Sequence, residues 1–532
     1  MNKFVFVTGG VCSGLGKAVA TAAIGSLIES AGVPVAMIKC DPYINLDAAN
    51  MNPSQNGEVY VTEDGGETDL DLGTYSRFTS FSPLREHSIT MGQIYNDVIK
   101  NERVGRYNGR TVQVIPHITD EIKRRIFCAA SRSSAEIVLV EIGGTVGDIE
   151  SIPFLEAVRQ LIRELGRPNA ISVHLTLVPV LAWGEMKTKP TQHAVKKMQE
   201  IGIQPDILLC RAETPLDSSL RNKIALFCNV ETGAVFTTGD VEKTIYELPV
   251  AFHKQGLDSK ILSKLGYTDK KCNVRAWASF LGKLNNPAKK VRIGLVSKKN
   301  FQEDCYKSVG AALLHAAVTG HNAELDMVKL DAESLEKERN LGHIFSGLQG
   351  VIVPDVPGQR GFLGLLAAVR FARERGIPFL GINFGMQLMA IEAARNLLKW
   401  EDADSTEFVH STAYPVISLP EEQAGLAAAG SDKLGAGEVV LERDSALRGI
   451  YGADKITERH RSKYAFDRKY TAGMISAGLI PAGTALDGQI EAFEWASHPW
   501  GIGVQYHPEF ASRPSKPHPL FSAFIGAALR HE

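Results

Sequence analysis

Three groups of residues in this 532-residue chain have the types and spacing of working chemistry. The first is TGGVCSGLGKAVA, residues 8–20. Small residues let successive backbone N–H groups face a phosphate, and a helix starting there adds positive potential. Lys17 is spaced to reach β- and γ-phosphates. The run is not the usual Walker form: Gly10 lies one residue too early, and Ala18 stands where a Ser or Thr would bind magnesium. A ligand-free glycine-rich turn is the competing reading. With Ala18 unable to coordinate, any magnesium must be held by carboxylates elsewhere.

The second group supplies those carboxylates. EIVLVEIGGTVGDIES reads as an apolar strand with Glu141 at its carboxyl end, followed by Asp148 and Glu150. That is the placement of a Walker-B acid. In GGETDLDLG, Glu67, Asp69 and Asp71 alternate, so an extended chain would put them on one face. Asp71 with Glu141 suits Mg2+ bridged to ATP phosphates. A solvated acidic turn is the competing reading, chiefly for Asp69.

The third group is basic. GEMKTKPTQ sets Lys187 and Lys189 around Thr188, followed by Pro190, Thr191 and Gln192. Cations alternating with hydroxyls and an amide suit a triphosphate and a base edge, although a lysine-rich surface loop has the same composition. Lys39, in MIKCDPYIN, ends an apolar strand, where ligand sites of open α/β sheets gather. Lys223 lies on a helix-like segment and alone says little.

These groups need a scaffold, and the chain supplies an alternating one. FVFVTG, VPVAMIK, EIVLVEIGG, SVHLTLVPV and DILLCR read as strands, and a helix runs from Lys17 to a glycine stop at Gly32. The polar stretch ASFLGKLNNPAKK marks a boundary. A second alternation starts near Val291, with GVIVPD, IPFLGIN and GIGVQY as strands. The pattern predicts an α/β fold with mainly parallel sheets. Residues 421–445 are Ala/Gly-rich and read as a surface loop.

Bulk properties narrow the function. The chain is 44% hydrophobic and 22% charged with net charge −2, which gives no sign of a nucleic-acid surface or a disordered tail. No apolar run approaches the roughly 20 residues that span a bilayer, and MNKFVFVTGG turns glycine-rich too soon for a signal peptide. A soluble, cytoplasmic protein is expected. The seven cysteines are scattered without metal spacing, and none follows Cys305.

Taken in order, TGGVCSGLGK, IKCDPYIN, GEVYVTEDGGETDLDLG, TVQVIPHITD, VEIGGTVGDIES, GEMKTKPTQ, IGIQPDILLCR and KIALFCNV resemble CTP synthase and cover nearly all of residues 1–270. GMQL, DSTEF, ERHR and VQYHPEF resemble that family's class I glutaminase domain. The resemblance implies a P-loop-type amidoligase domain over 1–270, a linker over 271–290 and a glutaminase-like domain over 291–532. It implies that ATP phosphorylates O4 of UTP and that ammonia, normally released from glutamine, displaces the phosphate to give CTP. By position, Ser13, Gly14, Leu15, Gly16, Lys17, Ala18 and Val19 would hold ATP, with Arg211, Gly239, Asp240 and Val241 on the adenine side. Lys17 and Lys39 would stabilise the phosphoryl group in transfer, and Asp71 and Glu141 would hold Mg2+. Ser13, Asp148, Ile149, Glu150, Lys187 to Gln192 and Lys223 would contact UTP or CTP. A homotetramer is implied as well.

The sequence departs from that family at the glutaminase site. The nucleophile elbow reads GINFGMQ, with Asn383 where the family has cysteine, and Asn forms no thioester. His507 and Glu509 persist from the triad. The oxyanion loop reads PDVPGQRG: Asp355 would repel an oxyanion and Pro357 lacks an N–H. SDKLG at Ser431 to Gly435 and RHRSKYA at Arg459 to Ala465 have drifted too, as have Asn56, Arg106 and Asn108 in the first half. The expected function is amination of UTP with free ammonia and without glutaminase activity. Two others compete with it: a paralogue using another amine or a modified pyrimidine nucleotide, and a catalytically silent partner of an active CTP synthase.

Overall fold

Strands buried on both faces read as continuous apolar runs, and the first half of the chain is built on them. The computed structural model describes residues 2–181, 184–298, 303–356, 358–419 and 433–531. The chain forms two units: Met1–Asn50 with Asp71–Leu281, and Met51–Leu70 with Gly282–Glu532.

In the first unit the sheet strands are β1 (Lys3–Gly9), β2 (Val35–Asp41), β3 (Ser88–Thr90), β4 (Ile137–Ile142), β5 (Ala170–Leu177), β6 (Ile207–Arg211) and β7 (Val235–Thr238). Their order is β3-β2-β4-β1-β5-β6-β7, and every neighbouring pair is parallel. Every residue of β2 and β4 is buried. Helix α1 (Lys17–Ser30) follows β1 and stops just before Gly32, whose φ of +75° suits glycine. The chain leaves β1 toward β2 and leaves β5 toward β6, in opposite directions. The two strands are adjacent, so their carboxyl ends bound a crevice of the kind where open α/β sheets bind ligands.

The second unit holds β8 (Lys289–Ser297), β9 (Ala323–Asp331), β10 (Gly350–Val353), β11 (Phe379–Ile382), β12 (Lys433–Leu441), β13 (Lys455–Ser462), β14 (Leu479–Ala485), β15 (Ile490–Trp495) and β16 (Gly501–Val504). Their order is β9-β8-β10-β11-β16-β15-β14-β12-β13. Pairing is parallel from β9 to β16 and antiparallel beyond. A core of Val351, Ile352, Phe379, Leu380, Met386, Phe493 and Val504 fills the middle. Much of the Ala/Gly-rich stretch lies outside the described residues, as do Pro357, Ser431 and Asp432. The remainder is not loop throughout: Lys433–Leu441 is strand β12.

Segment 51–70 packs within this second unit. Arg459 lies over the rings of Tyr60 and Phe510, 5.1 and 5.7 Å from their centroids, and donates to Val61 O at 3.0 Å and Phe510 O at 2.7 Å. Ser308 N donates to Glu58 at 2.8 Å. Asn56 ends the short helix Pro53–Asn56 and is exposed. Arg106 and Asn108 sit in an exposed turn, with Asn108 at φ 51°.

Candidate functional site

The glycines at the end of β1 are shaped by what they touch. A Cβ at Gly9 would lie 2.8 Å from Lys17 Cδ, and one at Gly10 would lie 2.9 Å from His174 Nε2. Gly14 and Gly16 have φ of +73° and +85° and let the chain turn into α1. Val11 has φ of +79°, an uncommon backbone for a β-branched residue. Ser13 and Gly14 are exposed, whereas Leu15 and Ala18 are buried. Lys17, the first residue of α1, donates to Gly144 O in the loop after β4. Burial depresses its pKa, Lys39 adds to the effect, and the nearby carboxylates oppose it.

The β2–β4 register sets Lys39 directly opposite Glu141. Both are buried, and Lys39 Nζ lies 3.0 Å from Glu141 Oε1 and 3.8 Å from Asp41 Oδ1, with Asp71 also bonded to it. Asp71 comes from α2 (Leu70–Phe78), and Tyr75, one turn on, donates to the other oxygen of Glu141. Burial opposes charge on Lys39, but Asp71, Glu141 and Asp41 outweigh it and hold its pKa well above the usual value. Asp41 is pushed up to about 6 by burial, with Asp71 and Glu141 adding to the rise against Lys39. The expectation that Glu67, Asp69 and Asp71 share one extended face is corrected here. The strand Glu67–Thr68 ends before α2 starts at Leu70, where Asp71 gains from the helix dipole.

Arg211, at the end of β6, donates to Leu15 O at 3.1 Å and pairs with Asp240, so it joins the glycine loop to Gly239–Val241. Asp148, Ile149 and Glu150 are exposed, and Asp148 caps Thr145 N at 3.1 Å. In the basic segment, Lys187 pairs with Glu185, and Lys189 lies 5.9 Å from the Phe227 ring. Lys223 is exposed one turn before Phe227 on α4 (Ser218–Cys228); α3 is Lys189–Glu200. Thr188, Thr191 and Gln192 are buried and bonded internally: Gln192 donates to Thr188 at 3.1 Å and Thr191 to Leu177 O at 2.9 Å.

Sequence reasoning missed Asp41, Tyr75 and His174. His174 is wholly buried on β5, with Nδ1 2.9 Å from Thr8 Oγ1 and Nε2 without a hydrogen-bond partner among the described residues. Burial, then Lys17, pushes its pKa down to about 3. A histidine inside the apolar run SVHLTL was the available signal. Among the described residues no three His, Cys, Asp or Glu side chains form a ready-made metal site.

In the second unit, Asn383 stands between β11 and helix α5 (Phe384–Glu392) at φ 49°, ψ −103°. This sharp elbow depends on two glycines. A Cβ at Gly385 would lie 2.1 Å from Val353 O, and one at Gly381 2.7 Å from Gly385. Asn383 Nδ2 donates to Arg461 O at 2.9 Å and lies 3.4 Å from His507 Nε2, while Oδ1 accepts from Gln505. His507 Nδ1 lies 2.8 Å from Glu509 Oε1. Burial works against charge on His507, but Glu509 and, more weakly, Asp355 raise its pKa. A cavity of about 210 Å3 opens beside Asn383, its wall including Glu67, Asp355, Gln387, Glu407 and Lys463.

Residues 3–267 match the family model for the CTP synthase N-terminus, and residues 302–527 match class-I glutamine amidotransferase. A CTP synthase of Syntrophus aciditrophicus (strain SB) is 47% identical over 533 residues, covering 100% of this chain and 98% of its own length. The chain belongs to the CTP synthase family. A CTP synthase of Koribacter versatilis (strain Ellin345) is 48% identical, covering 99% of this chain and 95% of its own length. Among solved structures, the glutaminase domain of Trypanosoma brucei CTPS with bound acivicin is 32% identical over 46% of this chain and 95% of its own, with a TM-score of 0.43. The fold of this CTP synthase family member is a parallel-sheet α/β synthase domain followed by a class I glutaminase-like α/β domain. Among the described residues no helix is long and apolar enough to cross a membrane.

Proposed function

We propose that this protein is an ATP-dependent ligase that aminates the 4-position of UTP to give CTP, taking free ammonia rather than glutamine-derived ammonia. The amidoligase domain spans 1–270 and the glutaminase-like domain 291–532, joined over 271–290. The observation that carries the phosphoryl chemistry is the meeting of Lys39, Asp71 and Glu141 at the carboxyl edge of a parallel sheet. Lys17, bonded to the loop after β4, stands at the start of α1.

ATP is the co-substrate and Mg2+ the metal. Magnesium takes one or two carboxylates together with substrate phosphates rather than a full protein cage. Asp71 and Glu141 fit that need, because three carboxylates, these two and Asp41, surround the single Lys39 ammonium. Bound there, Mg2+ would neutralise phosphate charge.

The reaction is positioning and electrostatics. The N–H groups of residues 13–19 cradle the ATP phosphates, and Arg211 with Gly239–Val241 borders the adenine. The uracil O4 attacks the γ-phosphorus, and the bond to ADP breaks. Lys17 and Lys39 stabilise the negative charge that builds on the transferred group. Ammonia then adds at C4 and loses a proton, and phosphate departs with the C4–O electron pair. Lys187, Lys189 and Lys223 offer cations to the UTP triphosphate, while Asp148 to Glu150 and Thr188 to Gln192 complete the pyrimidine nucleotide site. The active species is a symmetric homotetramer.

Glutamine hydrolysis is lost because Asn383 supplies no nucleophile. His507 and Glu509 are vestigial. A second reading draws on Asn56, Arg106 and Asn108: the amine is not ammonia, or the pyrimidine is modified. A silent regulatory partner would have no need of the Lys39 cluster. The test is to incubate the protein with UTP, ATP and Mg2+, adding glutamine, ammonium or a panel of amines, and to weigh the product by mass spectrometry. CTP with ammonium and none with glutamine is the expected result. CTP from glutamine alone overturns the reading of Asn383, and no product with any amine overturns the ligase.

A further inference from the structure

The turn that leads from β1 into the phosphate loop is strained. Val11 has φ of +79°, and a β-branched residue holds such a backbone only where its surroundings enforce it. The enforcement comes from around Gly9 and Gly10. Gly10 N donates to Leu175 O at 2.9 Å, and Gly9 O accepts from Val146 N at 2.8 Å. The stem of Lys17 covers Gly9. Gly10 lies against two side chains: a Cβ there would stand 2.7 Å from Ala194 Cβ on α3, and 2.9 and 3.1 Å from Nε2 and Cε1 of His174.

His174 is held in this place by its other edge. The β1–β5 register sets it opposite Thr8. Its Nδ1 lies 2.9 Å from Thr8 Oγ1, and that hydroxyl lies 3.7 Å from Met198 Sδ on α3. A hydroxyl has one proton and a thioether is a weak acceptor, so the proton goes to Nδ1 and Nε2 carries the hydrogen of the ring. Nε2 is buried with no hydrogen-bond partner among the described residues, which costs stability. An apolar ring would fill the same space without that cost, but it would not be pinned by Thr8. Burial, then Lys17, hold the imidazole neutral, so it adds no second cation beside Lys17.

We propose that His174 is a positioning residue for ATP: its ring, pinned by Thr8, braces the Gly9–Gly10 turn and so keeps the loop N–H groups and Lys17 aimed at the phosphates. This role rests on the reading that residues 13–19 hold ATP.

Equilibrium titrations of the full-length protein with ATP and Mg2+, and separately with UTP, test it in wild type, His174→Asn and His174→Gln. Asn keeps an amide within reach of Thr8 but leaves the space against Gly10 empty, whereas Gln is long enough to fill it. His174→Asn is expected to weaken ATP about tenfold and UTP by less than about twofold. His174→Gln should bind ATP within about threefold of wild type. In CTP formation with ammonium, the KM for ATP should rise in the same order while the KM for UTP stays. Unchanged ATP affinity in His174→Asn, equal losses for ATP and UTP, or His174→Gln no better than His174→Asn overturns the brace. Should His174→Asn fail to fold, as circular dichroism would show, Thr8→Val removes the pin and leaves the ring, and a selective loss of ATP affinity is again expected; unchanged affinity overturns the brace. Wild type that binds no ATP overturns the phosphate-loop reading itself, and the brace with it.

Discussion

Replacing Lys39 with methionine keeps most of the apolar stem and removes the charge, leaving Asp41, Asp71 and Glu141 without their shared cation. At 3.0 Å and an effective dielectric of about 20, the attraction to Glu141 alone is about 5 kcal/mol. The Asp41 contact at 3.8 Å adds about 4 kcal/mol on the same basis. Desolvation of the ammonium offsets much of this, and breaking a buried pair by removing one partner costs about 3–5 kcal/mol. Lys39→Met is therefore expected to destabilise the first unit by about 3–5 kcal/mol near pH 8. The pH dependence gives the sharper check. Asp41 is already pushed up to about 6 by burial, and removing Lys39 takes away the cation that opposes the rise. Such groups cost stability above the folded pKa, and the cost disappears as pH falls toward the unfolded value of about 4. The loss should shrink to about half or less near pH 5. Denaturant unfolding of wild type and variant at both pH values measures it. A loss below about 1 kcal/mol, or the same loss at both pH values, would refute the reasoning.

His174→Gln tests the buried imidazole. Because its folded pKa is depressed, the unfolded state takes up a proton near pH 6.5 that the folded state refuses. Wild-type stability should therefore fall by up to about 1.4 kcal/mol per pH unit below that point. The variant should lack that slope in unfolding free energies measured across the same range. Gly385→Ala should cost about 3 kcal/mol in the second unit, because its Cβ meets the fixed carbonyl of Val353, and a calorimetric scan reads it. Asn383→Cys should leave glutamate release at background, because Asp355 still faces the site where an oxyanion would form; a restored glutaminase would show that the nucleophile alone had been missing.

The buried parallel strands were legible because each is a continuous apolar run: FVFVTG, VPVAMIK and EIVLVEIGG match β1, β2 and β4. The edge strands were not: Ser88–Thr90 has the single apolar residue Ile89, which fits a loop equally well, and Ala323–Asp331 intersperses its apolar residues with Glu324, Asp326 and Lys329. The pairing of Lys39 with Glu141 depends on a register between strands about a hundred residues apart, which no local pattern encodes. Tyr75 was in reach of sequence reasoning, one helical turn after Asp71, had the helix at Leu70 been recognised. The acidic alternation there drew the reading toward an extended chain.

Persistence of His507 and Glu509 has a physical cause that does not depend on hydrolysis. Both are almost fully buried, and Glu509 Oε1 has His507 Nδ1 at 2.8 Å while its other oxygen has no partner among the described residues. Losing the histidine would strand a buried carboxylate at a cost of about 3–5 kcal/mol. His507 also stacks on Phe510, at 5.2 Å between ring centroids, and gives its backbone N–H to Arg459 O at 2.7 Å. The dyad is thus held by folding stability once formed. The elbow is under the opposite pressure. Its backbone, at φ 49°, suits few side chains, and Asn is among those that tolerate positive φ best. There the asparagine amide also satisfies Arg461 O and accepts from Gln505, bonds a thiol makes poorly. A chain released from glutamine hydrolysis would gain stability by trading a nucleophile for Asn383 and lose it by trading away His507. On the proposal that Asn383 stands in the place of a nucleophile, this asymmetry lets His507 and Glu509 persist without requiring that they act.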